Sequence, residues 1–240
     1  MTHSHAPWAA VRTIDDLRSP AGRLEALLNV GAPHAPYAGL VCHPHPLGGG
    51  TLHNKVVYRT MKSLQGLGLP VLRFNFRGTG LSEGAHDEGR GEQDDVRAAL
   101  DWLAREFDRP VLFAGFSFGA YVGLRACCGD PRVAGLIALG MPVHAEGRDY
   151  RYDFLSRCPQ PKLFISGTRD PYGPQAEVRA AVAPAAEPKQ LVWIDDADHF
   201  FVSQSGTAVH GARPAGSKLV EAQNAIRTWI VKCFPLLGNP

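Results

Sequence analysis

The chain is poor in cysteine, in unbalanced charge and in long apolar runs, and each shortage excludes something. It has 5 cysteines, at Cys42, Cys127, Cys128, Cys158 and Cys233. An odd and uneven set offers no disulfide framework, and no C-x-x-C pair suggests zinc. A reducing, cytoplasmic setting is expected. Lys plus Arg number 25 against 23 for Asp plus Glu, and the basic residues are scattered. Neither nucleic acid nor a membrane surface is therefore expected as a partner. No apolar run approaches the roughly 18 residues of a membrane span. The longest, around Val133–Leu139, is strand-sized. The opening MTHSHAPWAAVRTIDD has no basic start followed by an apolar stretch, so it does not read as a secretory signal. There is no internal repeat and no low-complexity segment.

What is present is an ordinary globular balance, with 45% hydrophobic and 20% charged residues in 240. That excludes disorder as the main state and suits a single domain over residues 1–240. Two short strands are expected first, near Ala10–Ile14 and Arg23–Val30. In the second, Leu24, Ala26, Leu28 and Val30 alternate with Arg23, Glu25 and Asn29, the period of a half-buried strand. Strand-like and helix-like segments then alternate. Tyr37–Cys42, Pro70–Phe76, Val111–Ala114, Val133–Leu139, Lys162–Ser166 and Gln190–Ile194 are apolar enough for strands. Val57, Met61 and Leu64 have helical spacing, stopped by Gly66 and Gly68. Glu92, Asp94 and Asp95 open a second helix, at the end where carboxylates favour the dipole, and its inner face is Val96, Leu100, Leu103 and Phe107. A third helix is expected over Phe118–Cys127. Leu219, Ala222, Ile226, Trp229 and Ile230 mark a closing one.

Apolar strands separated by helices imply an α/β fold with a mostly parallel sheet covered on both faces. In such sheets ligands bind at the carboxyl ends of the strands. The loops after Cys42, Phe76, Ala114, Ser166 and Ile194 should share that edge.

The strongest motif lies there. Gly115-Phe116-Ser117-Phe118-Gly119 reads G-x-S-x-G between a strand and a helix. Small residues let the chain turn tightly and leave Ser117 exposed at a helix N-terminus, whose free N–H groups favour a developing anion. A serine hydroxyl needs a base. Most of the histidines, among them His3, His5, His34, His86, His144 and His210, fall in the terminus or in predicted loops. His199 follows the last strand, in Asp198-His199-Phe200, where a ring can reach Ser117. A third group should orient that ring. Asp170 follows another strand, in Gly167-Thr168-Arg169-Asp170. It is preferred over Asp195, Asp196 and Asp198, which are so near His199 that contact with its ring would demand a particular turn. Ser117, Asp170 and His199 are the expected catalytic residues.

These pieces together resemble an α/β-hydrolase, of the small bacterial kind that opens with C-H-P-H-P-x-G-G. The matching stretches are Cys42-His43-Pro44-His45-Pro46-Leu47-Gly48-Gly49-Gly50 and Phe74-Asn75-Phe76-Arg77-Gly78-Thr79-Gly80-Leu81-Ser82, then Gly115–Gly119, Gly167–Asp170 and Asp198–Phe200. They keep the family's order over about 160 residues. The resemblance implies the α/β-hydrolase fold, a Ser117–His199–Asp170 triad and hydrolysis of esters or related acyl compounds. It implies no substrate.

An oxyanion hole needs two N–H donors. Phe118, after the nucleophile, should supply one. Since Pro44 and Pro46 have none, the other falls to His45, Leu47 or Gly48. Leu47 is preferred, with Gly48 second. His43-x-His45 lacks the further ligands a metal site needs, so neither metal nor cofactor is expected. Arg77-Gly78-Thr79-Gly80 lacks the ending of a phosphate loop and reads as a structural turn braced by Arg77. Cys127-Cys128 reads as helix packing. The expected activity is that of a carboxylesterase on a small-molecule ester, with oligomeric state open. Thioesters, lactones, amides and peptides suit the same three groups, and a non-catalytic binding protein would be expected to have lost one of them. Gly140–Pro161 is short and charged, a minimal cap rather than a lipase lid, which predicts short acyl chains and no interfacial activation.

Overall fold

Strands that are apolar on both faces can only sit between two layers, and the central sheet does so. The computed structural model describes residues 10–145, 147–203 and 218–234. His3, His5 and His210 lie outside the described residues. The sheet strands are β1 (Val11–Ile14), β2 (Ala26–Asn29), β3 (Ala38–Cys42), β4 (Val71–Phe74), β5 (Val111–Phe116), β6 (Val133–Leu139), β7 (Lys162–Gly167) and β8 (Lys189–Ile194). They form one 8-stranded sheet in the order β1-β2-β4-β3-β5-β6-β7-β8. β3 to β8 run parallel, and β2 pairs antiparallel with β1 and β4. The helices are α1 (Lys55–Gln65), α2 (Glu92–Phe107), α3 (Phe118–Cys127), α4 (Gln175–Val182) and α5 (Lys218–Cys233).

Period-two alternation divides the strand side chains between two cores. Leu40 joins Phe113, Leu136 and Phe164 against α2, α3 and α4. Its neighbour Val41 joins Leu112, Ile137 and Ile165 against α1 and α5. Val57, Met61 and Leu64 of α1, and Ile226, Trp229 and Ile230 of α5, are all buried, as their spacing requires. Asn54 starts α1 by accepting the Val56 N–H on Oδ1 at 2.9 Å. Cys127 is buried at the end of α3, with Cys128 half-buried behind it. Among the described residues no helix is long and apolar enough to cross a membrane.

Two local expectations change. The strand read over Arg23–Val30 narrows to β2, and Asn29, expected to face outward, is buried. Its Oδ1 accepts from the Arg73 guanidinium at 3.1 Å, a partner that periodicity cannot reveal. The carboxylates opening α2 do more than face the dipole. Asp95 takes the Arg77 guanidinium, at 2.8 Å from its terminal nitrogen, and the Arg77 N–H at 3.0 Å. Glu92, fully buried, accepts the N–H groups of Asp87 and Gly89 at 2.7 and 2.8 Å. Arg77 therefore braces the loop after β4, as its sequence context suggests, and α2 supplies the anchor.

Between β6 and β7 the chain forms a two-residue-per-strand hairpin, His144–Ala145 with Arg148–Asp149, and a short 3-10 helix, Asp153–Arg157. Among the described residues these are the only elements of the cap.

Candidate active site

Every candidate residue comes from the carboxyl edge of the parallel strands. β5 runs two residues beyond the apolar stretch, through Gly115 and Phe116, and delivers Ser117 directly onto α3. Ser117 has φ 55 and ψ −122, a conformation that L-residues rarely hold. Its N–H donates to Leu139 O at 2.9 Å, and its carbonyl accepts from Ala120 at 2.9 Å, so both neighbours pin the turn. The two glycines are required by crowding. A Cβ on Gly115 would lie 2.5 Å from Gly119 O, and one on Gly119 would lie 2.3 Å from His43 O. Phe118 opens α3, where the first N–H groups have no intrahelical acceptor.

His199 Nε2 is 2.9 Å from Ser117 Oγ, and His199 Nδ1 is 2.8 Å from Asp170 Oδ2. Asp170 and His199 are 4% and 5% exposed, so water hardly competes for these contacts. The second oxygen of Asp170 accepts the Tyr172 N–H at 2.9 Å, which fixes the carboxylate's plane. The ring of His199 is held by Phe116 and Tyr172, with centroids 4.9 and 4.7 Å away. The rival carboxylates are occupied elsewhere. Asp198 Oδ1 accepts the N–H groups of Phe200 and Val202, both at 2.9 Å, and so makes the turn that presents His199. Asp195 lies 3.3 Å from Thr168 Oγ1, and Asp196 pairs with Arg169 at 3.0 Å. The hydrogen-bonded chain thus runs Asp170–His199–Ser117. Asp170 orients the ring, and the Ser117 hydroxyl can pass its proton to Nε2.

The loop after β3 departs from expectation in one respect. Pro46–Gly48 is a tight 3-10 turn that uses the N–H groups of both preferred oxyanion donors. Leu47 N–H donates to His45 Nδ1 at 3.2 Å, and Gly48 N–H to His45 O at 3.1 Å. Leu47 also stands 72% exposed, while His45, Gly48 and Asn54 line the pocket together with Ser117 and His199. That pocket holds about 120 Å³, walled by Tyr150, Tyr172 and Phe200. Sequence reading missed these wall residues. Phe200, next to His199, Tyr172, two positions after Asp170, and Asn54, the residue that starts α1, carried a signal of their place, whereas Tyr150 carried none.

His43 is no ligand. It is completely buried, with Nδ1 2.7 Å from Pro44 O and Nε2 accepting the Phe76 N–H at 3.0 Å. It pins the loop after β3 to the end of β4. Among the described residues no cluster of His, Cys, Asp or Glu could hold a metal ion. Burial pushes the His43 imidazole down from 6.5 to about 4. Folded His43 therefore refuses a proton that the unfolded chain accepts below pH 6.5. Its stabilisation is complete above that value and is lost as pH falls toward 4, by about 3 kcal/mol at the lower end. Urea unfolding at pH 7 and pH 4.5 should show the loss, and the ring resonances of His43 should not move between pH 8 and 5.5. A ring titrating near 6.5 in the folded protein would refute this.

The comparisons concern the fold that carries this geometry. A family model described as an alpha/beta hydrolase domain matches residues 40–235. An uncharacterised protein of Rickettsia prowazekii is 38% identical over 190 residues, covering 76% of this chain and 79% of its own. A serine hydrolase homologue from Coxiella burnetii superposes with a TM-score of 0.76 at 34% identity, covering 95% of this chain and 100% of that one. A Xanthomonas campestris protein, described as an α/β serine hydrolase without a lid, gives 0.76 at 31% identity over 96% and 97% of the two chains. With the family model spanning most of its length and the eight-stranded sheet in place, this chain belongs to the α/β-hydrolase family.

Proposed function

We propose that the protein is a serine hydrolase of carboxylic esters, acting through an acyl-enzyme on Ser117. The observation that carries the reading is the unbroken hydrogen-bonded chain from Asp170 through His199 to a serine held at positive φ on a strand–turn–helix. His199 Nε2 takes the Ser117 proton as Oγ attacks the carbonyl. Asp170 keeps the His199 proton on Nδ1 and stabilises the imidazolium. The Phe118 N–H at the start of α3 is one donor to the oxyanion. For the second we propose the His45 N–H, because the Pro46–Gly48 turn engages Leu47 and Gly48, and His45 lines the same pocket as Ser117. His199 then protonates the departing alcohol and activates the water that frees Ser117. None of these steps needs a cofactor. A fluorophosphonate probe should label the wild type at Ser117 alone. Absence of labelling at Ser117 would end the reading.

The size of the pocket supports a short acyl group. About 120 Å³ has room for a few carbons beside the carbonyl, and the cap of one hairpin and one 3-10 helix cannot cover a long channel. A buried methylene contributes about 0.8 kcal/mol, so selectivity should rise over the first carbons and then flatten. Across 4-nitrophenyl esters from acetate to palmitate, kcat/KM should peak between about two and six carbons. It should not jump when droplets form. A maximum at dodecanoate or beyond would contradict the reading of the cap.

A further inference from the structure

Asn54 stands where the start of α1 meets the Ser117 pocket. Its Oδ1 accepts the N–H groups of Val56 at 2.9 Å and Val57 at 3.5 Å. Its own N–H donates to Thr51 O at 2.9 Å, and its carbonyl accepts the Tyr58 N–H at 2.8 Å. The side-chain oxygen must face the helix donors, so the amide has only one sensible orientation. Nδ2 is left at its other end, with two N–H donors and no partner among the described residues. Capping the helix does not by itself call for that nitrogen. Serine and threonine cap with their one oxygen, and aspartate caps while leaving a second acceptor. Asparagine alone leaves a separate nitrogen donor.

The surroundings make that donor useful to a substrate. Asn54 lines the same cavity as Ser117 and His199. Among the described residues lining it there is no carboxylate to compete for the N–H groups. The amide is also held still. Its four backbone and side-chain hydrogen bonds tie it to α1, and Val56, Val57 and Met61 bury that helix against the sheet. A donor fixed in advance loses little freedom when an acceptor arrives. A neutral amide nitrogen suits an uncharged oxygen, whereas a carboxylate is better met by a cation.

We propose that Asn54 Nδ2 is a specificity-determining donor, and that the natural substrate is a short ester with an uncharged acceptor oxygen close to the scissile bond. An ether, keto or hydroxyl oxygen has the required lone pair. The proposal rests on the esterase reading for the bond cleaved, but the donor can be observed without turnover.

Two pairs of esters test it, each exchanging one methylene for an ether oxygen. Ethyl 3-methoxypropanoate against ethyl pentanoate places the acceptor on the acyl side. 2-Methoxyethyl acetate against butyl acetate places it on the alcohol side. Asn54→Ser and Asn54→Asp both keep a capping oxygen for α1 and remove the nitrogen donor. The quantity read is the ratio of kcat/KM within a pair, compared between wild type and variant, so the intrinsic reactivity of each ester cancels. In one pair the wild-type ratio should exceed that of Asn54→Ser by about fivefold or more, and that pair identifies the side. In Asn54→Asp the ratio should fall below that of Asn54→Ser, because a second carboxylate oxygen would face the ether lone pairs. A purely structural Asn54 would change both members of a pair alike. In Ser117→Ala, nuclear magnetic resonance should show the Asn54 side-chain amide protons moving further with the ether ester of the responding pair than with its hydrocarbon partner. No turnover of any of the four, with that amide response intact, would overturn the esterase reading and leave the donor standing. Ratios equal in wild type and both variants, or an amide that responds no more to either ether ester than to its partner, would overturn the donor.

Discussion

Ser117→Ala is expected to lower kcat on 4-nitrophenyl acetate by at least about 10³-fold while leaving the fold intact. Removing the attacking oxygen ends the acyl-enzyme route, and only the residual effect of binding and oxyanion donors remains. Stability should change little, for two reasons visible in the site. Among the described residues the hydroxyl makes a single hydrogen bond, to His199, at a position that is not fully buried. The strained φ of 55 is imposed by the turn and is the same for alanine as for serine. Melting temperature should therefore stay within about 3 °C of the wild type, less than the shift that loss of a well-buried group produces. Retention of more than about a tenth of the wild-type rate would remove Ser117 from the mechanism.

Asp170→Asn should cost about 10⁴-fold, against less than about tenfold for Asp198→Asn. The argument is one of donors and acceptors. Tyr172 N–H donates to Asp170 Oδ1, and an asparagine there must keep its carbonyl oxygen on that donor. Its amide NH₂ then faces His199 Nδ1, which must accept. The ring proton moves to Nε2, the atom that has to take the proton from Ser117, so the base is blocked as well as stripped of its counter-charge. Asp198 uses one oxygen to accept two backbone N–H groups, a task an asparagine carbonyl performs nearly as well. Steady-state rates for the two variants on one ester decide the matter. A wild-type rate for Asp170→Asn together with a collapsed rate for Asp198→Asn would transfer the orienting role.

Legibility in the sequence followed the range of the interaction. α3 and β6 are found where apolar periodicity sets them, at Phe118–Cys127 and Val133–Leu139. β5 runs two residues further than its apolar stretch indicates, because Gly115 and Phe116 pair with Ala138 and Leu139 of β6 before the chain turns. Asn29 faced the wrong way in the sequence reading because its partner, Arg73, is 44 residues distant. Glu92 and Asp95 read as dipole-favouring residues, which they can be without any knowledge of the Asp87–Gly89 backbone and Arg77 that they also hold.

At the site, residue order alone determined where a nucleophile, a base and an orienting carboxylate could stand, since each must follow a strand whose end lies on the ligand edge. Local spacing could go no further. Which carboxylate meets His199 depends on the parallel pairing of β7 with β8, which brings Asp170 beside a ring 29 residues later in the chain. Which amides of the loop after β3 are already engaged depends on a 3-10 turn whose hydrogen bonds use Leu47 and Gly48. The meeting of Arg148 with His45, 103 residues apart, has no trace in either segment. Periodicity and turn chemistry are written in neighbouring residues and survive in the bare sequence. Donor–acceptor matching across strand ends exists only once the sheet has set those ends side by side.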